Sequence, residues 1–505
     1  MEDADQDAGR GRPPSFLDAL APVLVLIALL ALTIALFGID ATLGPLQVAL
    51  LTSTTFAGLI ALKNGYTAAK LRDAAIGGIS SAMGAIFILL AVGALIGTWN
   101  MAGTIPTVVS YGVALLNPTI FFAAVALICA VVGAVTGSSW TTAGTLGVAF
   151  VGMAPILGMS TTVAAGAVIS GAYVGDKMSP LSETTILVPS LVGGVTVEQH
   201  IRGMITTVAP AFGLAFLGFL LVGILEEPSV GAVGVDEARD VLATAFNISP
   251  INLLPLLALI ALTLWKVPPF LAIFSVALFA GILACFTQQD AVQAFVDEPG
   301  QGTLLDSIEA VYAAMANGFV SNSGNATIDG LFSGGGMSAM LSTVWLILGA
   351  LSFAAIMEEA GFLDRLIAPI VRRATSDAGL IVSVAATSVG LNVVAGDQYV
   401  ADVMPSRVYR AEFARRGLAP RMLSRTVEDT GTVTSPLIPW NTCGAYMTGV
   451  LGVSTMQYLP WAFFNILNPI VAVAFAVVGF RVEHVDPAVS TVASQVSTGG
   501  EHDAG

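Results

Sequence analysis

Long apolar runs broken by short polar turns dominate this chain. The stretches Leu20–Phe37, Leu43–Leu62, Ile76–Gly97, Thr119–Val135, Gly203–Leu225, Phe270–Phe286, Met340–Met357 and Pro460–Phe480 contain no charged residue. Each is roughly the 20 residues a helix needs to cross the hydrocarbon of a bilayer. Shorter or interrupted apolar pieces follow at Ile105–Leu116, Thr145–Leu157, Thr161–Val174, Ile251–Trp265, Leu380–Ala395 and Thr434–Val453. The pattern predicts an all-α polytopic membrane protein with about 11–14 membrane segments. The first run is too long, and followed by too many others, for a cleaved leader.

Polar stretches divide this pattern. Residues 1–19 form an acidic, polar tail, 20–225 a first hydrophobic half, 226–249 an acidic linker, 250–481 a second half, and 482–505 an acidic tail expected to be disordered. Arg10 and Arg12 precede the first span, Gly38–Thr42 carries no basic residue, and Lys63, Lys70 and Arg72 follow the second. That asymmetry places the N-terminus in the cytoplasm, together with the basic 407–425 loop of Arg407, Arg410, Arg415, Arg416, Arg421 and Arg425.

Composition excludes other classes. With 55% hydrophobic and 10% charged residues, the chain has too much apolar surface for a soluble domain. The net charge of −15 gathers in tails and loops, as ordinary solvated surface or as adaptation to a salty cytoplasm. Cys129, Cys285 and Cys443 stand singly, supporting neither a disulfide framework nor a zinc site, and His200, His484 and His502 lie outside the apolar clusters without a transition-metal set. No nucleophile–histidine pairing or phosphate loop suggests an enzyme, and no cofactor is expected. Ser333–Gly336 reads as a flexible connector, and one basic loop on an acidic chain does not suit nucleic acid.

Charge nevertheless enters the apolar pattern at Ser170–Thr185, which holds Asp176, Lys177 and Glu183 among Ser179, Ser182, Thr184 and Thr185. An unpaired carboxylate in lipid costs several kcal/mol, so such residues face a cavity or a partner. Asp176 and Lys177 could neutralise each other or sit at a membrane boundary. Ser179-Pro180-Leu181 returns as Ser435-Pro436-Leu437, each preceded by acids: Asp176 in the first half, Glu428 and Asp429 in the second. Upstream, Thr136–Thr142, with Ser138 and Ser139, is matched in order by Thr387–Asn392. Two polar interruptions in the same order in each half are what an internally duplicated transporter shows.

Proline sharpens the chemistry. In a helix, Pro180 would free the carbonyl of Asp176, Pro436 that of Thr432 and Pro439 that of Ser435. Those oxygens would join the side chains of Asn392, Thr430, Thr432, Thr434, Ser435, Asn441 and Thr442, hard ligands of the kind that replace water around an alkali cation such as sodium. Asp429 is the main acid of the second half, Glu428 an accessory, and Asp397 either a helix cap or an accessory ligand. A carboxylate that holds either a proton or a cation couples the two by competition. Lys177 is the charge partner or itself titrates.

The stretches Ser170–Thr185, Ala395–Tyr399, Leu423–Thr442 and Phe463–Pro469 resemble the NhaC family of sodium/proton antiporters, and the likeness runs from about Leu20 to about Arg481. Val174 and Glu183 stand where the family pattern has an aromatic residue and an Asp, which weakens Glu183 as a ligand. The resemblance implies sodium/proton exchange across a bacterial or archaeal plasma membrane. It further implies two inverted repeats with re-entrant hairpins and broken helices, usually in a homodimer. Relatives include exchangers of malate and lactate, which keeps sodium- or proton-coupled exchange of small organic anions as the alternative, with Lys177, Asn392 and Asn441 as its cradle.

Overall fold

The computed structural model describes residues 12–226, 242–296, 303–322, 324 and 326–485. The ends of both tails and the central part of the acidic linker, residues 227–241, lie outside the described residues. Within them the chain is helical, with two isolated β-bridges and no strand.

Among the described residues, eight helices are long and apolar enough to cross a membrane: Phe16–Phe37, Pro45–Lys63, Met83–Met101, Pro118–Thr136, Val197–Leu225, Pro269–Thr287, Ser338–Glu359 and Asp377–Val394. Thr455–Trp461 and Phe463–Val477 are together long and apolar enough for a ninth, but they are bent by 57° at a break, as in a broken span or a re-entrant loop. Of the shorter expected pieces, Ile105–Leu116 and Thr434–Val453 hold only the short helices Thr104–Leu115 and Thr442–Leu451. One boundary moves for a physical reason. The run Ile76–Gly97 is cut at Ala82, where the Ser81 hydroxyl donates to the Gly78 carbonyl at 2.7 Å and competes with the helix, so the crossing helix begins at Met83.

Local signals set the other ends. Ser15 and Asp18 form a capping box at the first helix, and Thr196 with Gln199 another at Val197–Leu225. The segment Ser333–Gly336 departs from expectation: it is no loose connector. The Gly336 amide donates to the Gly93 carbonyl at 2.6 Å, and a Cβ on Gly335 would stand 2.4 Å from the Gly97 nitrogen.

The same succession of elements runs through both halves. Met83–Met101 is followed by left-handed Gly103 and Thr104–Leu115, as Leu341–Glu359 is by left-handed Gly361 and Phe362–Arg373. Then Phe121–Thr136 ends at left-handed Gly137 with Ser138 capping the next helix, as Asp377–Val394 is followed by left-handed Gly396 with Asp397 capping. Thr161–Met178 leads to Ser182-capped Glu183–Val192, while Pro420–Val427 leads, through a π turn, to Asn441-capped Thr442–Leu451.

Candidate functional site

The two interrupted segments meet in the interior. Thr161–Met178 reaches its place by lying almost on the backbone of Phe121–Thr136: a Cβ on Gly171 would stand 2.1 Å from the Ala126 carbonyl, and one on Gly175 2.3 Å from that of Ala130. Glycine permits that approach, and it brings Asp176 to the turn after Thr136. There Asp176 Oδ2 accepts from the Ser139 amide at 3.1 Å and its hydroxyl at 2.7 Å. The carboxylate thus sits on the first amide of a helix capped by Ser138, whose Oγ accepts from the Thr141 amide.

Lys177 turns away from Asp176. It is fully buried, and its Nζ donates to Asp429 Oδ1 at 2.5 Å, an ion pair between the two halves. Neutralisation of Asp176 by its neighbour is therefore overturned. Asp429 Oδ1 also accepts from Thr207 Oγ1 and Asn468 Nδ2, each at 3.0 Å, while its Oδ2 has no hydrogen-bond partner.

The second half is broken by a π turn at Glu428–Thr432 and a 3-10 turn at Ser435–Leu437. A π turn widens a helix locally and is common at functional sites. Every member of it is buried. Glu428 has no hydrogen-bond partner on either carboxylate oxygen, and His200 Nε2 stands 3.7 Å from it. Asp402, on Gln398–Val408, accepts from the Thr432 hydroxyl at 2.9 Å through Oδ2 and has nothing on Oδ1. Asn392 Nδ2 donates to the Gly431 carbonyl at 2.6 Å and to Thr434 Oγ1 at 3.0 Å, and Asn441 Nδ2 donates to Asn392 Oδ1 at 3.0 Å. Ser435 donates to Gln398 Oε1 at 2.9 Å and lies 3.4 Å from the Tyr173 hydroxyl, linking the halves again.

The prolines interrupt the helices without leaving free carbonyls. The Asp176 carbonyl accepts from the Ser179 amide at 3.0 Å, because the helix has already ended at Met178 and closes with a cap. The Thr432 carbonyl accepts from Ser435 Oγ at 2.7 Å and that of Ser435 from the Ile438 amide at 3.4 Å. The oxygens without donors belong to side chains instead.

A cavity of about 960 Å³ reaches the first break, lined by Ser138, Ser139, Trp140, Asp176, Ser182, Glu183, Thr184, Asp397, Tyr399 and Thr442, among others. Lys177, Asp402, Glu428 and Asp429 are not on its wall. Glu183 is exposed there and accepts from the Tyr399 hydroxyl, so it belongs to the cavity rather than to the buried cluster. Asp397 is a helix cap: Oδ1 caps Gln398–Val408 through the Val400 amide at 3.1 Å, while Oδ2 accepts from Thr442 at 3.3 Å on the cavity wall. Ser179 Oγ accepts from the Leu181 amide at 3.3 Å, and Thr185 Oγ1 donates to the Lys177 carbonyl at 3.3 Å, so both serve the turn.

Sequence reasoning missed Asp402, His200, Thr207 and Asn468. Asp402 lies in a helix that reads as the start of the basic loop. His200 follows a polar turn but is fully buried, with Nδ1 2.9 Å from Ser424 Oγ, and Arg425 is likewise buried, donating to Thr206 at 3.0 Å. Among the described residues no group of three or more His, Cys, Asp or Glu could hold a metal ion.

The Na+/H+ antiporter family model matches residues 18–193 and 189–480. The Na(+)/H(+) antiporter NhaC of Alkalihalophilus pseudofirmus is 35% identical over 87% of this chain and 90% of its own length. The arginine/ornithine antiporter ArcD of Halobacterium salinarum is 34% identical, covering 95% and 96%. The malate-2H(+)/Na(+)-lactate antiporter of Bacillus subtilis is 33% identical, covering 86% and 90%.

Proposed function

The chain belongs to the Na+/H+ antiporter family, and we propose that it exchanges sodium for protons across the plasma membrane of a bacterium or archaeon, through buried carboxylates that bind cation and proton in turn. The observation that carries this reading is the excess of buried carboxylates over cations where the two breaks meet. Asp176, at the end of the cavity, is the acid an entering ion meets. Asp429, held by Lys177, is the acid beyond it. Ser139, Thr184 and Thr442 add hydroxyl oxygens near the cavity, and Thr432 adds one deeper in. Binding of a cation in place of a proton at such acids makes either movement depend on the other.

Orientation follows from charge. Lys266 and Glu358 on the cavity wall lie at the same end as Lys70, whose ammonium is 2.9 Å from Glu359. The links Gly38–Leu43 and Pro250–Leu253, at the other ends of their helices, carry no basic residue. We therefore take the cavity to open toward the cytoplasm, with the N-terminus and the 407–425 loop on that side. The doubled order of elements supports two repeats, which we take to be inverted, and the working unit is taken as a homodimer. In everted vesicles with an imposed pH gradient, Asp176→Asn should abolish sodium-dependent dissipation of the gradient. Dissipation at the wild-type rate would remove Asp176 from the mechanism.

The cavity favours one second reading. It holds four carboxylates, Asp176, Glu183, Glu358 and Asp397, against the single cation Lys266, with Trp140 and Tyr399 beside them. That lining suits a cationic amino acid of the kind named for the Halobacterium relative, and uptake of labelled arginine or ornithine into proteoliposomes would put this reading first. Exchange of malate or lactate is less well supplied, since Lys177, Asn392 and Asn441 donate to protein acceptors.

A further inference from the structure

Positive charge runs short around the π turn. Asp402, Glu428 and Asp429 are each fully buried. Lys177 is committed to Asp429, and Arg425 donates to Thr206. His200 Nε2 makes no hydrogen bond and stands 3.7 Å from Glu428. Four carboxylate oxygens, Asp402 Oδ1, Asp429 Oδ2 and both of Glu428, therefore lack any donor in a region without exposed surface, and of the three acids only Asp429 has an ammonium partner.

These oxygens belong to one place. Thr432, from the same π turn as Glu428, holds Asp402 Oδ2, which leaves Oδ1 as the unpartnered oxygen. Gly431 leaves room for that oxygen, since a Cβ there would fall 2.1 Å from Asp402 Oδ1. Two ionised carboxylates at one turn, buried and with three of their four oxygens lacking a donor, are costly unless a cation lies with them. The oxygen donors of Asp402, Glu428 and Thr432, carboxylate and hydroxyl, suit a hard cation.

We propose that Asp402 and Glu428, with the Thr432 hydroxyl, form a second and deeper site for a monovalent alkali cation, separate from the cavity carboxylate Asp176. This rests on the reading of the chain as a sodium exchanger and adds a station to it. An ion leaving Asp176 would then pass to Asp402 and Glu428 on its way across. The site also accounts for why Asp429 has an ammonium partner while its neighbour Glu428 has none.

The test is equilibrium binding of radiolabelled sodium to the purified full-length protein at one fixed pH, beside sodium-driven proton movement in proteoliposomes. Asp402→Asn and Glu428→Gln should each raise the sodium concentration for half-saturation by about tenfold or more. Gly431→Ala, which changes no charge but displaces the Asp402 carboxylate, should act in the same direction, while Asp402→Glu keeps measurable binding. Monodisperse elution confirms that each variant is folded, and Gly431→Ala carries the test if the charge variants fail it. Wild-type sodium affinity in folded Asp402→Asn, with exchange intact in the parent, overturns the deeper site and leaves the exchange reading standing. A parent that neither binds nor moves sodium overturns both.

Discussion

The two breaks of this protein begin from similar residues and end in different environments. In the first half an acid, a Ser-Pro step and a Ser-capped helix open onto a cavity, and Asp176 is satisfied by the amide and hydroxyl of Ser139. In the second half two acids and a Ser-Pro step are sealed inside, with Glu428 lacking any donor, while the Asn-capped helix that follows touches the cavity at Thr442. The difference teaches a division of labour. A carboxylate at the wall can be served by water and helix amides, whereas acids behind it depend on Lys177 or on an ion.

The largest way to break this contrast is at the ion pair that joins the halves. Lys177→Met leaves Asp429 buried without its cation, and we expect a loss of about 3–5 kcal/mol, read as a lowered thermal midpoint. Adding Asp429→Asn to that variant should restore much of the stability without restoring exchange. Asp176→Asn should leave stability within about 1.5 kcal/mol of the parent, because the amide retains an oxygen for Ser139. A large fall in its thermal midpoint would mean that the two acids are not so differently placed.

Next in size is the helix contact that brings Asp176 to Ser139. Gly171→Ala forces a methyl toward the Ala126 carbonyl, expected to cost about 1–3 kcal/mol in thermal unfolding. The two caps give a finer comparison. Ser182→Ala should cost about 1 kcal/mol, the ordinary value of a lost N-cap. Asn441→Ala should cost more, because Asn441 also donates to Asn392 Oδ1.

The smallest effect lies in the basic loop. Glu412 accepts from Arg415 and Arg416, and those bonds hold its carboxyl down to about 2. A depressed carboxylate stabilises the fold above the ordinary range near 4 and loses that contribution only as the pH falls toward 2. Glu412→Gln should therefore shift stability by less than about 1 kcal/mol at neutral pH and leave the pH profile of exchange unchanged. A profile moved by this variant would give the loop a sensing part beyond tethering.

The spans were readable in the sequence because a bilayer demands some 20 apolar residues without charge, a signal that little else produces. The first break was readable for the same reason: Asp176 and Lys177 interrupt such a run. Three things were not. Asp402 lies on a helix whose later residues are basic, so its burial depends on packing against the π turn rather than on its neighbours in the chain. The partner of Lys177 comes from the other half, and no local pattern distinguishes Asp429 from Asp176. The carbonyls near Pro180, Pro436 and Pro439 seemed free because a continuing helix was assumed, whereas caps and the Ser435 hydroxyl take them up.

The most direct test of the central claim is sodium-driven proton movement in proteoliposomes carrying purified Asp429→Asn, whose amide cannot exchange a proton for a cation. The account predicts no sodium-dependent proton movement from a protein that still elutes as a folded species. Exchange at the parent's rate would contradict it.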